Sequence, residues 1–178
     1  MMDWLGKYMI KKVLSLRLSG ICLIITLLIM YGTSVGVPGI VQYDSGFKLL
    51  EMQIFYSYDT VINMFENLGI EGIQHYIYYL GVDSVFILFL MLFQYNISNL
   101  IEIDFLLIKK VLMALTFMRG IFDLIEDSIL YMMMEYIISI TPPVVFIASV
   151  VTLLKFIFLF GWLILIVISK TYLFRKNN

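Results

Sequence analysis

Apolar positions along the chain gather into four long stretches, about 19 to 40, 76 to 99, 111 to 133 and 143 to 168, with shorter polar segments between them. A hydrocarbon core about 30 Å thick takes about 20 apolar residues per helical crossing, so each stretch has span length. The pattern predicts an all-α fold, a four-transmembrane-helix bundle forming one integral membrane domain over residues 1 to 178. In the connection between the first two stretches, Val61, Met64, Phe65 and Leu68 recur at i, i+3, i+4 and i+7. That stripe predicts a short amphipathic helix over about 57 to 69, on the outer membrane surface or as a lid on the bundle. Ser57 or Asp59 is placed to cap its first turn, Gly69 suits a left-handed stop, and Ile70 suits the hydrophobic contact that accompanies such a stop.

The ends of the stretches carry their own signals. Lys7, Lys11, Lys12 and Arg17 precede the first one in the manner of a secretion signal. Its apolar character continues to about Ile40, however, too long for a signal's apolar core, so an uncleaved first helix is expected. Tyr76, Tyr78 and Tyr79 stand where the second helix meets the outer leaflet, a boundary that amphipathic rings favour. Pro142 and Pro143 open the fourth helix, where a missing N–H costs little. Asn96-Ile97-Ser98 forms a glycosylation sequon, discounted because it falls at the cytoplasmic end of helix two.

Composition agrees with a chain dissolved in lipid: 62% of the 178 residues are apolar and 14% charged, against nearer a half and a quarter in soluble domains. The heavy use of Ile, Leu, Phe, Tyr and Met is associated with AT-rich bacterial genomes. No basic tract suggests nucleic acid, and the net charge of -1 says little until its placement is read. Lys7, Lys11, Lys12, Arg17, Lys109, Lys110, Lys170, Arg175 and Lys176 lie at the ends or in the 100 to 110 loop, whereas the other two connections hold only Lys48. Cytoplasmic loops keep the excess of Lys and Arg, so the expected location is the cell membrane, multi-pass, with both termini cytoplasmic. The outer 41 to 75 connection is acidic, with Asp44, Glu51, Asp59, Glu66 and Glu71. Cys22 is the single cysteine; with no zinc spacing, nucleotide loop or nucleophile elbow, no cofactor or metal is expected.

The informative residues are charges inside the spans: Asp83 on helix two, Arg119, Asp123, Glu126 and Asp127 on helix three, and Lys155 on helix four. Each costs about 2.5 to 3.5 kcal/mol near mid-helix on insertion scales, so they are expected to face one another or water. At 100° per residue the four on helix three fall within an arc of about 100°. Thr152, Lys155 and Trp162 share one face of helix four, and Tyr76, Asp83, Leu90 and Gln94 share one face of helix two. By the 1.5 Å rise, Asp83, Asp123 and Glu126 reach the outer half, with Arg119 and Lys155 near the midplane. The expected result is a charged interhelical pocket built from Asp83, Asp123, Glu126 and Lys155, open toward the outside if anywhere.

Acids outnumber bases in this cluster, a surplus that protonation of at least one acid relieves, as a proton relay or general acid would need. Set beside that is a plain structural role, in which Lys155 with Asp123 and Arg119 with a neighbouring acid pin the helices together. His75, the only histidine, is either an interfacial polar residue or a proton handler at the pocket mouth. Met132, Met133 and Met134 read as apolar packing.

Tyr58, Leu68-Gly69-x-x-Gly72-x-x-x-Tyr76, Asp83-x-x-Phe86, Phe122-Asp123-x-x-Glu126-Asp127 and Thr152-x-x-Lys155 resemble the pattern of a group of uncharacterised bacterial four-helix membrane proteins. Ile73 and Asp127 stand where that group commonly has Arg and Asn, and the resemblance implies a fold but no activity. A looser likeness, resting on helix count and Asp83-Ser84-Val85-Phe86, is to the emopamil-binding, sterol-isomerase-like membrane family, which implies a pocket with buried acids; the histidine that family carries within a span is absent. The function these features favour is binding of a lipid or small amphiphile in the charged pocket, or service as a membrane accessory subunit. The partners expected are membrane lipids, a lipid-like ligand, and a membrane protein or a second copy of the chain. An integral-membrane enzyme using a pocket carboxylate, a proton-coupled transporter component and a purely structural membrane partner are the alternatives.

Overall fold

The structure is a computed structural model that describes residues 2–100 and 106–177, and side chains from residue 13 to 100 and 106 to 171. Residues 101–105 of the expected 100 to 110 loop, and the side chains of Lys7, Lys11, Lys12, Arg175 and Lys176, lie outside that description. The described residues are helical: α1 (Met2–Gly32), α2 (Val37–Val41), α3 (Tyr58–Leu100), α4 (Leu106–Met134) and α5 (Pro142–Asn177), with a 3-10 turn at Leu50–Met52. Three segments, Val13–Val41, Tyr58–Leu100 and Pro142–Thr171, are long and apolar enough to cross a membrane, which makes the chain a multi-pass membrane protein. Their outward faces carry Leu18, Ile24 and Leu28 on α1 and Ile157, Phe160 and Ile164 on α5, all exposed. Such surfaces need lipid as solvent.

Several boundaries differ from the sequence expectation. The first helix ends at Gly32 instead of running to residue 40. Thr33 turns the chain: its hydroxyl donates to the Ile29 carbonyl and accepts from the Val35 N–H. The chain then folds back so closely that a Cβ on Gly36 would lie 2.0 Å from the Met30 carbonyl oxygen, a position only glycine occupies. Pro38 sits in the first turn of α2, where its missing N–H costs little.

Residues 70–75 are helical too, so the amphipathic segment and the second span form one element bent at Gly69. Ser57 Oγ accepts from the Thr60 N–H, the capping bond expected at the start. Val61, Met64, Phe65 and Leu68 are all buried, so this segment caps the end of the bundle and is not laid on its surface. Gly69 has the expected positive φ of 61°, but its ψ of -174° is extended, a combination other residues rarely adopt. The chain therefore kinks and resumes, and Ile70, expected to make a capping contact, is 87% exposed.

α1 packs on α3, α3 on α4 and α4 on α5, while α1 and α5 flank the arc and barely touch each other. The Asn96 side-chain amide donates to Ser19 Oγ at 3.2 Å, tying α3 to α1 and using the asparagine of the sequon. Trp162 Nε1 donates to Ser98 Oγ at 3.0 Å, tying α5 to α3. Phe122 and Phe158 pack with ring centroids 5.3 Å apart between α4 and α5. Met133 and Met134 are buried in the apolar core, in keeping with packing, and Cys22 is half-buried.

Candidate functional site

α4 concentrates its polar groups inward. Arg119, Asp123, Glu126 and Asp127 are each at least 94% buried, whereas Phe117, Ile121 and Ile125 on the opposite side are exposed. On α5, Thr152, Lys155 and Trp162 are buried as their spacing predicted, and on α3 so are Tyr76, Asp83 and Gln94.

These faces meet in a connected ion cluster. Lys155 Nζ lies 2.9 Å from Asp123 Oδ1 and 2.5 Å from Glu126 Oε2. Asp123 also pairs with Arg119 one turn earlier, and Glu126 accepts a hydrogen bond from the Thr152 hydroxyl. A lysine shared by two carboxylates joins α5 to α4, where low dielectric makes the attraction strong and an unpaired partner costly.

Beside the cluster lies a cavity of about 220 Å³, lined in part by Glu51, Asp83, Arg119, Asp123 and Lys155. Leu27, Met30 and Tyr31 of α1, Phe156 and Leu159 of α5, and Met52, Tyr79, Phe86 and Leu90 line the remainder. α1 and α5, which barely touch each other, thus both contribute to the cavity wall, and each also carries an exposed apolar face. The cavity exceeds the roughly 150 Å³ space that admits a benzene ring in an engineered protein core.

The sequence-derived set divides in four. Asp83, Arg119, Asp123 and Lys155 line the cavity together. Glu126, expected as a wall residue, instead backs the site through Lys155 and Thr152. Asp127, one residue and 100° further round the helix, lines a separate groove between α3 and α4 with Ser84, Ser128 and Tyr131, and neither of its buried oxygens has a hydrogen-bond partner. His75 belongs to neither; it is half-buried within α3, its Nδ1 3.5 Å from the Tyr43 hydroxyl and its ring near Tyr78.

Glu51 was missed. It sits in the 3-10 turn of the acidic connection yet is 2% exposed, held there by Leu49 and Leu50, which are buried alongside it. Tyr76 Oη donates to Glu51 Oε2 at 2.5 Å and accepts from the Leu50 N–H at 3.1 Å. Tyr76 is therefore fully buried and not an interfacial ring; Tyr79 is buried as well, and only Tyr78 of the three is exposed. Burial pushes the Glu51 carboxyl above its ordinary range, partly offset by the Tyr76 bond. The signal for this residue was the run Phe47, Leu49 and Leu50 around it, apolar side chains that a solvated loop would not need.

Among the described residues no group of three or more His, Cys, Asp or Glu is placed to hold a metal ion. No family model, curated protein or solved structure matches the chain.

Proposed function

We propose that this protein is a membrane-embedded binding module for a small amphiphile, which enters from lipid between α1 and α5 and places its polar head against Glu51, Asp83 and Arg119. The carrying observation is the cavity itself, whose wall joins the charged residues Glu51, Asp83, Arg119, Asp123 and Lys155 to apolar side chains of α1, α3 and α5. Such a mixed lining suits a molecule with one wet end and one oily end.

On this reading α4 is a fourth crossing. Its 29 residues reach about 43 Å at 1.5 Å per residue, and its charges face inward while its outer face is apolar. Both termini then lie on one side, the cytoplasmic side by the distribution of Lys and Arg. The Lys155, Asp123 and Glu126 cluster serves as the rigid back wall that fixes the cavity's shape. The likeness to bacterial four-helix membrane proteins agrees with this arrangement. A second role, as a partner of another membrane protein, draws on Asp127, whose unpartnered oxygens face a groove on the other side of the bundle.

The experiment is photo-crosslinking from a diazirine amino acid at Leu27 or at Leu163, with the protein in native membranes. Leu27 lines the cavity and Leu163 is exposed on α5 away from it. Position 27 should capture one amphiphile species to saturation while position 163 captures bulk lipid in proportion to its abundance. The same adducts at both positions would contradict a selective cavity.

A further inference from the structure

The charges around the cavity do not balance. Asp123 and Glu126 are matched by Arg119 and Lys155. Glu51 and Asp83 remain, 2% and 5% exposed, both lining the cavity and neither paired with a cation among the described residues. Glu51 Oε1 is buried with no hydrogen-bond partner, its other oxygen being taken by Tyr76. Asp83 makes no hydrogen bond among the described residues at all.

We infer that the amphiphile bound in this cavity carries a cationic head, a protonated amine, held between the Glu51 and Asp83 carboxylates. The inference rests on the binding reading above and names its ligand class. Both acids come from different elements, the 49–53 turn and α3, and they converge on one space lined by Tyr79 and Phe86. An ammonium between two carboxylates gains charge-assisted hydrogen bonds in a site of low dielectric. Aromatic walls favour a cation as well. Metal cations fit less well, because among the described residues no third acidic, histidine or cysteine ligand joins the pair.

An amine head has two sources, a free long-chain amine or an aminophospholipid. Arg119 Nη1, also buried without a hydrogen-bond partner, is available to the phosphate of the second. The two are separable by experiment.

The test compares four single-chain probes bound to the detergent-purified full chain by native mass spectrometry: dodecylamine, 1-dodecanol, dodecanoate and a lysophosphatidylethanolamine. Dodecylamine should bind at least about tenfold more tightly than the alcohol or the carboxylate, tenfold being about 1.4 kcal/mol. Tighter binding of the phosphoethanolamine lipid than of dodecylamine would assign the ligand to the membrane lipids, and weaker binding to free amines; the cationic head is supported in both cases. Equal or tighter binding of 1-dodecanol or dodecanoate overturns the cationic head while leaving the cavity reading intact. No binding of any probe overturns the binding reading itself. In Glu51→Gln or Asp83→Asn the ratio of amine to alcohol affinity should fall about tenfold, and because the wild-type series decides the matter alone, a poorly folded variant does not shield the inference.

Discussion

Tyr76 and Glu51 lie 25 residues apart in sequence and share a 2.5 Å hydrogen bond inside the bundle. That bond draws the connection between the first two spans down onto the helices and turns one acid of an acidic loop into a wall of the cavity. The Tyr76 ring is held in turn by the edge of Phe47, with centroids 5.2 Å apart. A single tyrosine hydroxyl thus links the loop backbone at Leu50, the Glu51 carboxyl and α3.

Removing that hydroxyl should loosen the loop. Tyr76→Phe keeps the packing on Phe47 but leaves the Leu50 N–H and Glu51 Oε2 without a partner, a loss of about 1 to 3 kcal/mol per buried group. A lower unfolding temperature in detergent and faster proteolysis within residues 42–57 are expected. Unchanged protection of that segment would show that the bond does not hold it.

The ion cluster should respond asymmetrically. Lys155→Met leaves Asp123 and Glu126 without their shared cation and should destabilise by about 3 to 5 kcal/mol. Adding Glu126→Gln should recover more stability than adding Asp123→Asn, because Asp123 retains Arg119 whereas Glu126 pairs with no other cation among the described residues. Thermal unfolding of the three variants in one detergent checks the order.

Gly69→Ala tests the kink. A Cβ there would meet nothing within 4 Å, so any cost comes from the backbone at φ 61°. The expected loss is about 1 to 3 kcal/mol. Gly81→Ala, in a helical stretch with equally open surroundings, should be neutral or slightly stabilising and serves as the control.

Glu51 gives the chain a pH signature. Burial raises its pKa above the ordinary 4.5 in the folded chain, partly offset by the hydrogen bond from Tyr76 and by the nearby Lys155 and Tyr79. As pH rises above about 4.5 the unfolded chain releases this proton first, so folding loses stability until the folded carboxyl ionises as well. Wild type should therefore fall behind Glu51→Gln as pH is raised from 4.5 toward 8. A difference in unfolding temperature that stays constant over that range would contradict the shift.

Three of the four expected spans and the inward-turned charges were legible in the sequence because two strong constraints act locally. Backbone groups in lipid must bond within a helix, and charges in a span must turn inward, so 3.6-residue periodicity put Asp83, Asp123 and Lys155 on inward faces, where they are buried. The divergence of Asp127 from Asp123 was not legible. They stand only about 40° apart on the helix, inside the arc of about 100° that also holds Arg119 and Glu126, and only packing decides which cavity each one meets. Glu51 was hidden for a different reason. The acidic balance of the 41 to 75 connection outweighed the apolar run Phe47, Leu49 and Leu50 beside it, and its burial depends on a bond to a residue 25 positions away. The end of the first helix was misplaced because residues 33 to 40 are apolar enough to continue a span, while Gly36 permits a fold-back that hydropathy does not register.

The most direct measurement is native mass spectrometry of the detergent-purified protein with extraction of whatever stays bound, comparing wild type with Leu159→Trp, which narrows the cavity without altering a charge. A small amphiphile retained by wild type and lost from the variant is the expected result. Equal retention of the same molecule by both, or none by either at full folding, would contradict an amphiphile seated between α1 and α5.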